Sequence, residues 1–154
     1  MKENITHITL GDAVPASFLA NVDQTSVVGF AGSRHFTPSS ELCSGFVEAF
    51  AAKGCSFAVG CADGVDAAFR RVLAESFYNR TVCFRAFSSR DCDGLSVVFT
   101  SLLYLPPHAA LSVRTNRLVQ HISHMVLFPG DWGKGSRLCL KLCAKRSLPL
   151  LLVK

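Results

Sequence analysis

Residues 27–40 read VVGFAGSRHFTPSS, and the fold turns on how they are read. The stretch begins inside a continuous apolar run, Ser26–Phe30, the pattern of a strand covered on both faces. It then turns through Gly32, Ser33 and Arg34. Ser39 or Ser40 can cap a helix from Glu41 to Lys53, which Gly54 closes. The same order repeats downstream. Apolar runs at Ser56–Val59, Thr81–Phe84, Met125–Phe128 and Leu148–Val153 predict four further strands. Helical spacing predicts helices over Asp63–Phe77, Ser112–Ser123 and Ser136–Arg146. The apolar stretch Asp91–Tyr104 reads as one more helix, ended by Pro106–Pro107. Ile5–Leu10 adds an edge strand, followed by a short helix. Strands alternating with helices imply right-handed crossovers. The expected architecture is a Rossmann-like, doubly wound, mostly parallel α/β sheet of five or six strands with helices on both faces.

Composition sets the outer limits. A chain of 154 residues suits one domain at about 100–200 residues each, and no linker or repeat divides it. Apolar residues make up 49% and charged residues 18%, which excludes a disordered chain. The longest apolar stretch, Leu95–Leu105, is broken by Ser96, Thr100 and Ser101 and falls short of the ~20 residues a bilayer requires. The opening MKENITHITL shows no leader pattern, so a cytoplasmic location and no membrane partner are expected. Seven cysteines, an odd number without a CxxC pair, sit in runs such as TVCF and RLCLKLC. They suit a bacterial or otherwise reducing cytoplasm, where the thiol packs as a small apolar group. Cys139 and Cys143, or His121 and His124, lack the second close pair that zinc sites bring, and no metal site is assigned. The net charge of +5 favours an anionic ligand, but basic residues cluster only at Lys141, Lys145 and Arg146, so nucleic acid is not the expected partner.

In a doubly wound sheet, ligands collect beyond the strand C-termini, where the strand order reverses. Three glycine-bearing turns fall there. After the first strand come Gly32, Ser33 and Arg34, the last a planar cation suited to phosphate. After the second comes VGCADGVDAAF, in which Gly60 and Gly64 flank a helix start and Asp63 and Asp66 stand three apart. Before the fourth strand, SVRTNRLV supplies Arg114, Asn116 and Arg117. After it, FPGDWGKGSRL brings Gly130, Gly133 and Gly135 up to a helix start at Ser136. Helix N-termini with exposed N–H groups bind anions, so the turns together predict a pocket for a phosphorylated compound. Asp63 and Asp66 are either helix caps or contacts for a ribose hydroxyl or metal ion. Trp132 either packs over the core edge or stacks on a base. His35 reads as a rim residue, and Cys61 has no histidine partner in sequence. No catalytic residue can be assigned.

Four segments in this order, GSRHF at 32–36, GCADGVDAAF at 60–69, RTNRLV at 114–119 and FPGDWGKGS at 128–136, resemble the SMF/DprA–LOG (SLOG) superfamily over residues 25–153. That superfamily includes nucleotide-ligand sensors, Lonely Guy phosphoribohydrolases, DNA-processing protein A and molybdenum-cofactor carrier proteins. The resemblance implies a pocket for a nucleotide or nucleotide-derived ligand. By motif it assigns Gly32, Ser33 and Arg34; Gly60, Asp63, Gly64 and Asp66; Arg114, Asn116 and Arg117; and Gly130, Gly133, Gly135 and Ser136. Within it the chain most resembles the small GSR-motif branch, whereas phosphoribohydrolases resembling the Lonely Guy group carry a PGGxGTxxE pattern with a catalytic glutamate. Here Cys139 stands in its place, and a thiol cannot stabilise positive charge at a sugar carbon. The expectation is therefore a binding or sensing module. An N-glycosidase using Asp131, Asp63 or Asp66, and a single-stranded DNA binder like DNA-processing protein A, remain as alternatives. A homodimer through Asp91–Tyr104 is weighed against burial of that stretch on the sheet.

Overall fold

The apolar runs assemble into one sheet of seven parallel strands in the order β1-β7-β6-β2-β3-β4-β5. In this computed structural model, which describes residues 4–154, the strands are β1 Ile5–Ile8, β2 Val27–Gly32, β3 Ser56–Gly60, β4 Thr81–Arg85, β5 Ser96–Thr100, β6 His124–Phe128 and β7 Leu150–Val153. The first three residues of the stretch read for a leader lie outside the described residues. Strands β6 (HMVLF) and β7 (LLLV) are buried at every position, His124 being their one polar residue, as apolar runs covered on both faces are.

Helices α1 (Ala16–Leu19), α2 (Ser40–Ala51) and α3 (Val65–Ser76) cover one face. Their core is phenylalanine-rich: Phe30 of β2 stacks on Phe69 of α3 with ring centres 4.2 Å apart, and meets Phe50 of α2 edge-on. Helices α4 (Pro107–His121) and α5 (Lys134–Lys145) cover the other face through Leu118, Ile122, Cys139 and Cys143. The chain steps outward from β2 to β5 on one side, then crosses through α4 to β6 on the other. The strand order therefore reverses between β2 and β6, at the centre of the sheet. This is a Rossmann-like, doubly wound α/β fold. No helix among the described residues is long and apolar enough to cross a membrane.

Two expectations need correction. The stretch Asp91–Tyr104 is not helical. Asp93 and Gly94 take left-handed backbone angles (φ 54° and 81°), which a helix cannot absorb, and Val97, Val98 and Phe99 then extend as edge strand β5, the seventh strand. Pro106 and Pro107 do not end a helix but begin one. Pro106 caps α4 and Pro107 is its first residue, where a missing N–H costs nothing, so α4 starts five residues before Ser112.

Candidate functional site

Three loops meet where β2, β3 and β6 end, and their backbones touch. Ser33 N–H donates to the Phe128 carbonyl across the reversal point (2.9 Å), and the Ser33 carbonyl in turn accepts from Val65 N–H at the start of α3 (3.0 Å). Gly64, which caps α3 at φ 70°, lies so close that a Cβ there would strike the Ser33 carbonyl and the Arg34 backbone. A Cβ on Gly130 would stand 2.8 Å from Ser33 Cβ. Glycine at these positions lets separate loops form one surface.

Beneath that surface lies a layer of buried charge. Asp66 on α3 accepts from Ala62 N–H (3.2 Å) and stands 3.6 Å from Arg114 of α4, which reaches under the end of β3 against Gly60. Burial pushes the Asp66 carboxyl above the usual carboxylate range, outweighing the pull of Arg114 and Arg70. Arg114 is buried with its Nε unpartnered, while its Nη1 lies 3.4 Å from Cys61 Sγ. Cys61 also receives Ala86 N–H (3.1 Å) and Arg90 (3.4 Å). Arg70 binds the Gly60 and Ala62 carbonyls (3.0 and 2.6 Å) and pairs with Asp93 (3.0 Å). Arg70 and Arg90 carry no signal in sequence. They are recruited by the loop after β4, which has no periodicity to read.

The residues singled out from sequence divide accordingly. Gly32, Ser33, Gly60, Gly64, Asp66 and Arg114 form the interlocked floor. Arg34, Asp63, Gly130, Gly133 and Gly135 are exposed at the rim, and Arg34 makes no hydrogen bond or ion pair among the described residues. Ser136 is buried in the first turn of α5. Asn116 and Arg117 do not join Arg114. Asn116 lies on the exposed face of α4 and accepts from Gln120, and the Arg117 guanidinium lies 4.9 Å over the Phe99 ring of β5.

The helix starts also differ. The start of α2 is filled by its own Ser39, whose Oγ accepts from Leu42 N–H. At α3 the protein likewise supplies its own acceptors: the Ser33 carbonyl takes the Val65 N–H of its first residue, and the Asp66 carboxylate takes the Ala62 N–H in the loop just before it. Helix α5 begins at Gly133 with no side-chain cap and no acidic residue in its first turn, and the space around Gly133 and Gly135 is open. The turn leading into it touches Ser33 at Gly130, and the Ser33 Oγ accepts from His35 N–H (3.1 Å) and keeps its proton free to donate. Two chemistries recede. The Cys139 thiol is buried and held well above its ordinary pKa by a hydrogen bond with Cys143 and by burial. His121 packs on Phe84 and His124 on Phe18, on opposite faces of the sheet.

No family model matches the chain, and no curated protein matches it. Among solved structures it is similar to DNA processing protein A from Helicobacter pylori, described for its single-stranded DNA binding mode. The TM-score is 0.67 at 15% identity, over 92% of this chain and 70% of that one. CobK precorrin-6A reductase aligns at a TM-score of 0.40 and 13% identity, over 98% of this chain and 46% of that one. The likeness to the Helicobacter pylori protein is one of fold alone.

Proposed function

We propose that this chain is a binding or sensing module for a nucleotide or nucleotide-derived phosphorylated ligand, held where β2 and β6 end. The phosphate would sit on the uncapped N-terminus of α5, with the Ser33 hydroxyl donating and Arg34 closing over it. The observation that carries this reading is the contrast among helix starts. Those of α2 and α3 are met by the protein's own acceptors and α4 opens on Pro107, which has no N–H, whereas α5, entered through the Gly130 turn that touches Ser33, has neither a side-chain cap nor an acidic residue in its first turn. Binding single-stranded DNA is the second reading, favoured by the fold shared with the Helicobacter pylori protein.

A thermal-shift screen of nucleoside monophosphates, dinucleotides and oligo(dT) tests both. A ligand at ~100 times its Kd adds about 2.7 kcal/mol of stability. Arg34→Ala is expected to lose most of that gain while the unliganded protein melts as before, since Arg34 holds nothing in the fold. Oligo(dT) binding that weakens steeply with salt, with no response to mononucleotides, would favour DNA. Release of free base from nucleoside monophosphates would make the chain an N-glycosidase instead.

A further inference from the structure

Beside the proposed phosphate site, a hollow of about 330 Å³ opens between the turns after β2 and β6 and the C-terminal ends of β1 and β7. Its lining includes Phe36, Trp132, Gly130, Leu10, Val153 and Lys154. The volume falls at the lower end of small-ligand pockets. Three observations bear on what fills it. First, two of its three aromatic residues come from the loops that build the phosphate site: Phe36 stands three residues after Ser33, and Trp132 two after Gly130. The hollow reaches Ser33 through Gly130, which lines it and abuts that serine. Second, Trp132 sits at φ 58°, in the left-handed region that a bulky side chain avoids. The turn closes on a hydrogen bond from Trp132 N–H to the Pro129 carbonyl (3.0 Å), holding the indole at the hollow in spite of that strain. Third, the lining is otherwise apolar, and its one charged side chain is a lysine.

We propose that this slot takes a flat aromatic ring, a nucleobase or comparable heterocycle, stacked on Phe36 and Trp132 while the attached phosphate occupies the α5 start. The proposal rests on the phosphate reading above and adds to it the part of the ligand that confers recognition. Stacking accepts any base, so discrimination among bases is weak and the ring itself is what matters. A free nucleotide and a nucleotide within a single strand present the same ring and phosphate.

The chain has a single tryptophan, so its emission reports on the slot directly. Adenosine monophosphate is expected to quench Trp132 emission saturably and to raise the melting temperature. Ribose 5-phosphate, which lacks the ring, is expected to raise the melting temperature with emission unchanged. Phe36→Leu should weaken adenosine monophosphate binding about tenfold or more and leave the ribose 5-phosphate response intact. Trp132→Gly is the second variant, because glycine relaxes the left-handed backbone and so offsets part of the packing that the half-buried indole gives up on the α4–α5 side of the core. It should fold as the parent does yet bind adenosine monophosphate no better than ribose 5-phosphate by calorimetry. Quenching by oligo(dT) alone would identify a strand as the source of the ring. If adenosine monophosphate stabilises the protein with emission unmoved, and both variants bind it like the parent, the slot is refuted while the phosphate site stands. If none of the three probes shifts the melting temperature, the phosphate reading and the slot fall together.

Discussion

The two ends of the sheet carry hollows of opposite character. The larger, about 550 Å³, lies at the strand N-termini, lined by the first residues of β2, β3, β4 and β5 together with Arg80 and His121. Volume alone would make it the site. Its cation, however, is already spent: Arg80 Nε and Nη2 bind the Cys55 carbonyl (2.9 and 2.6 Å), Nη2 also reaches the Ala51 carbonyl (3.1 Å), and the guanidinium lies over Phe77. At the strand C-termini, Arg34 is uncommitted and α5 starts without a cap. Partnered cations hold a fold together, and unpartnered ones are available to a ligand. Donor occupancy, more than cavity size, separates the two ends.

The strongest test of that contrast is Gly64→Ala. The left-handed backbone and the crowding against Ser33 and Arg34 together should cost about 3 kcal/mol or more, read as a lowered urea midpoint. An unchanged midpoint would mean that the loops do not touch. Arg80→Ala should cost about 2 kcal/mol by leaving two backbone carbonyls without their donor, while the response to ligands stays that of the parent. A loss of ligand response there would reverse the assignment of the two ends. Gly135→Ala separates binding from folding. In the open first turn of α5 it should add about 0.5–1 kcal/mol of stability and reduce the nucleotide-induced shift, because the methyl group occupies the phosphate approach.

The smallest effect is on pH dependence, where the two ends have opposite signs. Burial lowers the His124 pKa from its ordinary 6.5, against a weaker opposing pull from Asp23. The unfolded chain then binds the proton more readily than the native one. Its contribution to stability is complete above about pH 6.5 and is lost as the pH falls through the folded value. Asp66 is raised, so its contribution is present at low pH and is lost as the pH rises from 3.8 through the folded value. His124→Leu should flatten the decline in stability on acidification below pH 6.5. A slope that survives the substitution would put the acid-sensitive group elsewhere.

The strands around the reversal point were legible because each is a continuous apolar run, and the loop glycines because each stands where a strand gives way to a helix. The segment 91–105 was not. Its apolar content fits either a buried helix or a strand, and the deciding residues are the Asp93–Gly94 turn and the β-branched pair Val97–Val98. Pro106–Pro107 was read as a stop when the same missing N–H equally marks a start. Within the site, the phase of α4 does part of the sorting. Residues 114 and 116 fall about 200° apart at 100° per residue, so a motif that names both names two faces of one helix. The Arg70 and Arg90 contacts were invisible, since they depend on where an irregular loop comes to rest.

The chain of two hydrogen bonds from Phe128 through Ser33 to Val65 has a kinetic consequence. It couples the turns after β2, β3 and β6 without an intervening hinge, so that rim has little slack to take up when something docks. Association should then follow diffusion and electrostatic attraction, with no slow closing phase in stopped-flow traces, and tighter and weaker ligands should differ mainly in how long they stay.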